Sequence, residues 1–202
     1  MTDVTHEKPI LEVREADEAT DASETAALGS AAFRETHAEI FEAAVVEAIV
    51  SQKYSEASIR LSIRACRAAS NAYFLVAHRA SKLVGFLEYD EQGSEPELHR
   101  LYVDPGQKRS GIGSALLAAL HERLPAGQRY GVTVSAKNMP ALRFYERHGF
   151  RESGRAIQLY PGVQLPPDAQ PGAVVFLDAR APRTSQPQSQ TGHNDPDQEE
   201  RT

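Results

Sequence analysis

At 202 residues, with 41% apolar and 25% charged side chains, the chain has the size and composition of one globular domain with a sizeable core. No apolar run approaches the ~20 residues that cross a bilayer; Cys66, the single cysteine, excludes an internal disulfide and a thiolate zinc cluster, and no histidines stand at metal-ligand spacing. The net charge of −6 is uneven, with 12 acidic against 3 basic residues in 1–50 and a balance of +3 in the remainder, which argues against a nucleic-acid partner and would suit a cationic ligand.

Residues 1–9 read as a polar arm without the basic start and apolar core of a secretion signal, so a cytoplasmic location is expected. Ile10 to Arg14 has strand character. Asp17 to Thr36, rich in Ala and Glu, predicts a helix with a weak point at Gly29. Ile40 to Val50 and Ser55 to Ala69 carry apolar residues at helical spacing and predict two more helices.

The period then shortens to two. Tyr73–Ala77 and Leu83–Tyr89 predict a hairpin across Arg79-Ala80-Ser81-Lys82, and Glu97–Val103 predicts a further strand in which 97, 99, 101 and 103 share a face. Gly111–Leu124 predicts a helix with Leu116, Leu117, Leu120 and Leu124 inward. Tyr130–Ser135 is a strand, and Asn138–His148 a helix capped by Asn138 and Gly149. Strands from Phe150 onward and at Ala173–Leu177 complete an order of βααα-βββ-α-β-α-ββ, a mixed α/β (α+β) sheet. The domain is expected at 10–181. The tail at 182–202 has no large apolar residue and is expected to be disordered.

The segment from Leu101 to Leu117 carries the chemistry. A strand runs into Asp104-Pro105-Gly106-Gln107-Lys108-Arg109-Ser110, and Gly111-Ile112-Gly113-Ser114 opens a helix. Two glycines let backbone N–H groups approach an anion, the helix mouth adds unpaired amides and a positive dipole end, and Lys108 and Arg109 add charge. This is a diphosphate cradle in physical terms. It lacks the G-x-x-x-x-G-K-[ST] of a P-loop and the three glycines of the dinucleotide fingerprint.

A second motif follows: Asn138-Met139-Pro140-Ala141-Leu142-Arg143-Phe144-Tyr145-Glu146-Arg147-His148-Gly149-Phe150. The two together closely resemble the GNAT superfamily of N-acetyltransferases, whose loop reads Gln/Arg-x-x-Gly-x-Gly/Ala and is followed by Asn-x-x-Ala-x-x-Phe-Tyr and Gly-Phe. Lys108 stands at the Gln/Arg position and keeps a donor there. The resemblance spans roughly residues 10–180.

It implies the GNAT fold, a central, mostly antiparallel twisted sheet flanked by helices. It also implies acetyl-CoA as co-substrate, with no metal. The amides of Arg109, Ser110, Gly111, Ile112, Gly113 and Ser114 would hold the diphosphate. The edge of Leu101, Tyr102 and Val103 would pair with the pantetheine arm, and an N–H near Val103 would polarise the thioester carbonyl. Asn138 would contact the pantetheine region and Tyr145 would sit beside the sulfur as general acid.

A primary amine, with a pKa of ~10.4, must lose a proton before attack. In the family a carboxylate at the Glu97 position often accepts it, and His99 could relay it onward. From spacing alone Tyr145 also reads as a packed aromatic and Glu97 as an ordinary strand-end carboxylate. Positioning of the two reactants could supply much of the rate without either.

The segment Phe33–His37, the helix after it and Tyr54-Ser55 loosely resemble a subgroup that includes bacterial spermidine/spermine acetyltransferases. In the family the first two helices form one wall of the acceptor groove, where Glu35, Glu39, Glu42 and Glu47 would favour a polyamine or another cationic small-molecule amine. Amino acids, drug-like amines, and protein N-termini or lysines are alternative acceptors. A coenzyme-A-binding regulator without turnover and another nucleotide-binding module using the same loop stay open. So do monomer and homodimer.

Overall fold

A computed structural model describes residues 10–182 apart from 92, 94, 159 and 161. The expected arm at 1–9 and the tail from 183 onward lie outside the described residues. In chain order the elements are β1 (Leu11–Glu15), α1 (Ala22–His37), α2 (Ala43–Lys53), α3 (Glu56–Ala68), β2 (Tyr73–Arg79), β3 (Lys82–Asp90), β4 (Glu97–Val103), α4 (Ile112–His121), β5 (Arg129–Ser135), α5 (Met139–Arg147), β6 (Arg151–Gln158) and β7 (Gly172–Arg180). This is the expected order, with a short 3-10 turn at Pro105–Gln107 after β4.

The strands form one seven-stranded sheet in the order β1-β2-β3-β4-β5-β7-β6. Every neighbouring pair is antiparallel except β4 and β5. Strands buried on both faces feed two cores. On β2, Leu75 and Ala77 join the core under α4 and α5, while Phe74 and Val76 join the core under α1–α3. The sheet is therefore the middle of three layers.

Local chemistry sets the boundaries. α1 begins at Ala22, later than the expected Asp17, because Asp17–Asp21 is tied into a turn. There the Asp21 carboxylate accepts two bonds from Arg14, at 2.7 and 2.9 Å, and one from the Asp17 N–H at 2.7 Å. α2 starts at Ala43 because the N–H groups of Ile40 and Phe41 both close back on the His37 carbonyl and extend the end of α1 as a turn. Ser55 caps α3 by accepting from the Ser58 N–H, and Asn138 caps α5 by accepting from the Ala141 N–H. The hairpin turn holds Ala80 and Ser81 both at positive φ, the I′ geometry without its usual Asn or Gly.

Candidate active site

β4 and β5 touch only at their starts. Glu97 stands opposite Gly131, the Gly131 N–H donates to the Pro96 carbonyl at 2.9 Å, and no further pair forms. From there the two parallel strands splay. The gap opens into a cleft of about 750 Å³ whose walls include Leu101, Tyr102, Val132, Thr133, Val134, Asn138 and Tyr145.

The exposed backbone in that gap follows from register. The Asp104 N–H donates to the Val84 carbonyl at 2.9 Å, next to the pair Val103–Gly85. In an antiparallel ladder this bond flanks a pair whose own N–H and C=O groups point away from each other. The main-chain groups of Val103, and two residues back those of Leu101, therefore point out of the β3 ladder toward the gap.

The strand does not keep one alternation. Tyr89 pairs with Leu98 and Glu88 with Arg100, so His99 is the extra residue of a bulge. The bulge flips the faces: Leu98, Leu101 and Val103 belong to the α4/α5 side, and Tyr102 to the α1–α3 side. The expected common face of 97, 99, 101 and 103 is thus corrected. Glu97 and His99 lie with Arg100 and Tyr102, across the sheet from Leu101 and Val103.

The cleft consequently runs through the sheet. On the α5 side stands Tyr145, 6% exposed and packed on Phe144 and Phe150. Its hydroxyl has no hydrogen-bond partner among the described residues, and burial pushes its phenol well above the ordinary value. It is protonated at neutral pH and free to donate. Asn138 also borders the cleft. Its side-chain oxygen caps α5, which leaves its amide N–H₂ for another partner.

On the other side, Glu97 Oε1 accepts from the Thr133 hydroxyl at 2.9 Å. His99 lies between two carboxylates, 3.7 Å from Glu97 and 3.1 Å from Asp90. Behind them Arg100 pairs with Glu88 at 3.0 Å and lies over the Tyr54 ring. Phe41 and His37 complete that wall, with their rings stacked. Burial lowers the His37 pKa and keeps it neutral, although its bond to the Phe33 carbonyl works the other way. His37 and Phe41 come from the segment expected to wall the groove, whereas Thr133, Asp90, Arg100 and Tyr160 were not anticipated; for Thr133, a lone hydroxyl between Val132 and Val134, the alternation of β5 was a signal.

Lys108–Ser114 lie beyond Val103 and do not line the cleft itself. Arg109 and Gly111 both adopt positive φ, and Gly111 caps α4 with no heavy atom within 4 Å of where a Cβ would stand. The first helical bond runs from the Ala115 N–H to the Gly111 carbonyl, so the amides of Ile112, Gly113 and Ser114 have no acceptor inside the helix. Gly113 also serves packing. A Cβ there would come within 3.2 Å of the Phe144 ring and 3.5 Å of Leu101, so its bareness lets α4 close on α5.

Lys108 pairs with Glu35 at 2.7 Å and Arg34 with Glu47. None of Glu35, Glu39, Glu42 or Glu47 lines the cleft, whose carboxylates are Glu88, Asp90 and Glu97. The acidic excess of the first helices is therefore not the wall of the groove.

A family model described as an acetyltransferase (GNAT) domain matches residues 28–163. Mycothiol acetyltransferase of Brachybacterium faecium is 38% identical over 92 residues, covering 42% of this chain and 28% of that protein. Spermidine N(1)-acetyltransferase of Thermoplasma acidophilum is 27% identical over 121 residues, covering 57% and 73%. The chain thus spans less than a third of the mycothiol acetyltransferases it matches. The PaiA N-acetyltransferase of Thermoplasma acidophilum, solved in complex with coenzyme A, superposes with a TM-score of 0.66 at 21% identity over 85% of this chain and 99% of that one. A likeness at that identity speaks for the fold.

Proposed function

This chain belongs to the GNAT acetyltransferase family, and from that premise we propose that it is an N-acetyltransferase moving an acetyl group from acetyl-CoA to a primary amine by direct attack. The observation that carries the reading is the splay of β4 from β5, which opens the sheet between a side bearing Tyr145 and a side bearing Glu97. Residues 10–181 would form the catalytic domain. With no described helix long and apolar enough to cross a membrane, we take it to work in the cytoplasm.

The residues present suit the coenzyme. Three helix-mouth amides lacking acceptors, the open space above Gly111 and the cations of Lys108 and Arg109 suit a diphosphate. The outward main-chain groups of Leu101 and Val103 suit the amides of a pantetheine arm, with Tyr102 between them and the Asn138 amide beside it. Acetyl-CoA supplies an activated thioester when bound.

The chain's own groups would do the rest. Glu97, steadied by Thr133, takes the ammonium proton of the acceptor, with His99 and Asp90 as the way out. A main-chain N–H at Leu101 or Val103 stabilises negative charge on the carbonyl oxygen. Tyr145 gives its proton to the departing sulfur.

The acceptor is a small-molecule amine in this reading. Polyamines deserve the first trial because of the partial similarity to a spermidine acetyltransferase and the three carboxylates in the cleft. The test is thiol release from acetyl-CoA over polyamines, amino acids, aminoglycosides and peptides. Coenzyme A that stabilises the protein with no amine consumed would leave a binding protein, and no stabilisation by coenzyme A would remove the proposal.

A further inference from the structure

Ser114 Oγ lies 3.0 Å from His148 Nε2, and His148 Nδ1 lies 2.8 Å from the Phe144 carbonyl oxygen. A carbonyl only accepts, so a neutral His148 carries its proton on Nδ1 and its Nε2 can only accept. The one hydroxyl hydrogen of Ser114 is therefore committed to the imidazole. Ser114 is also the third residue of α4, and its backbone N–H is among the three without a helical acceptor. Phosphate oxygens only accept. A phosphate reaching these amides meets a hydroxyl whose hydrogen already points elsewhere.

We propose that His148 is part of the coenzyme site and takes up a proton when a phosphate binds at the mouth of α4. With Nε2–H donating to Ser114 Oγ, the serine hydrogen turns to a phosphate oxygen, and the imidazolium adds a positive charge beside the anion. The Phe144 carbonyl holds Nδ1–H in both states, so the ring stays in place. One proton comes from solvent and no other bond changes. The inference rests on the reading that this helix mouth holds the coenzyme diphosphate.

The groups around the ring fit that coupling. From α4 comes His121, bonded to the Tyr130 hydroxyl and held low by burial and by His148. Beside His148 on α5 are the exposed Glu146 and Arg147, and at the start of β6 Arg151 donates to the Glu146 and Phe150 carbonyls. Lys108, tied to Glu35, and Arg109 come from the preceding loop. A bound phosphate adds negative charge at the mouth of α4, beside the residue to which the ring is bonded, and so favours a second proton on the imidazole in the complex.

Dephospho-coenzyme A is the probe, because it keeps the diphosphate and lacks the monophosphate that itself titrates near pH ~6. Titration calorimetry on the whole chain, in buffers of different ionisation enthalpy at about pH 7, should find proton uptake on binding. Affinity should weaken by about fivefold from about pH 6 to about pH 8, within the roughly tenfold limit set by one linked proton held about ten times more tightly in the complex. His148→Gln should bind without uptake and with a flat pH profile. Coenzyme A run in parallel separates any part played by the monophosphate. Wild-type binding without proton uptake overturns the inference, as does undiminished uptake by His148→Gln. No binding at any pH would strike the coenzyme reading itself and the inference with it.

Discussion

Replacing Tyr145 by Phe separates packing from chemistry at the cleft. The ring, 6% exposed and wedged against Phe144 and Phe150, keeps its contacts in the variant. The hydroxyl has no partner among the described residues, so deleting it breaks no protein hydrogen bond, and stability should stay within about 0.5 kcal/mol. General acid catalysis contributes about 10²- to 10⁴-fold. A thiol of ordinary pKa near ~8.5 is already a fair leaving group, which puts the expectation at the low end: a fall in turnover of about 10²-fold, or about 2.7 kcal/mol. Thiol release at saturating acetyl-CoA and amine measures it, with coenzyme affinity from the thermal shift as the control. Turnover within about twofold of wild type, with affinity unchanged, would refute the acid role.

Three further outcomes follow from other parts of the molecule. Gly111→Ala meets no neighbour, so it should carry only the strain of a side chain at φ +85°, about 1–2 kcal/mol, whereas Gly111→Asp should abolish the thermal shift given by coenzyme A; tight binding by the Asp variant would count against the cradle. For Asp21, 3% exposed, burial pushes the carboxyl up, but bonds from Arg14 and the Asp17 N–H outweigh it and hold the pKa below its ordinary value. Its stabilisation is therefore full above the unfolded carboxylate pKa of ~3.9 and lost as pH falls through the folded value. Asp21→Asn should lower unfolding free energy by about 2–3 kcal/mol at neutral pH, a figure reduced for the partly exposed Arg14, and the gap from wild type should close in acid; a urea-unfolding gap independent of pH contradicts this. Cys66 is buried, and its thiol is pushed up to about 12 by burial first and by Glu88 and Asp90 next. Alkylating reagents near neutral pH should label it only after denaturation, and rapid labelling of the folded chain would show the thiol to be accessible.

The fold was legible where local chemistry and burial agree. Strands such as Tyr73–Ala77 and caps such as Asn138 announce themselves within a few residues, and the structure shows that strand buried on both faces. Boundaries slipped where a distant partner decides. Asp17–Asp21 has helical composition, yet the Arg14 guanidinium from the end of β1 holds its last carboxylate in a turn. The hairpin at Ala80-Ser81 was found from the strands beside it, since the turn residues carry no signal for positive φ.

The two sides of the cleft differ in the same way, and the difference explains why an acceptor is harder to read than a cofactor. In the proposed reading the cofactor side comes from two short continuous stretches, 101–114 and 138–150, so its residues stay together in the sequence. The acceptor side is assembled from His37 and Phe41, Asp90, Glu97–Tyr102, Thr133 and Tyr160, brought together only by the sheet and by one extra residue at His99. That bulge decides which residues share a face with Glu97, and no period-two pattern contains it. The charges mislead for a related reason. Glu35 and Glu47 are acidic in sequence but spent on Lys108 and Arg34 in space, while Glu88, Asp90 and Glu97, scattered through a basic half of the chain, converge on the cleft. In the proposed reading acceptor choice depends on which cleft carboxylates can reach an ammonium: Glu88 is held by Arg100, whereas Glu97, beside Thr133 and His99, stands where it would meet one.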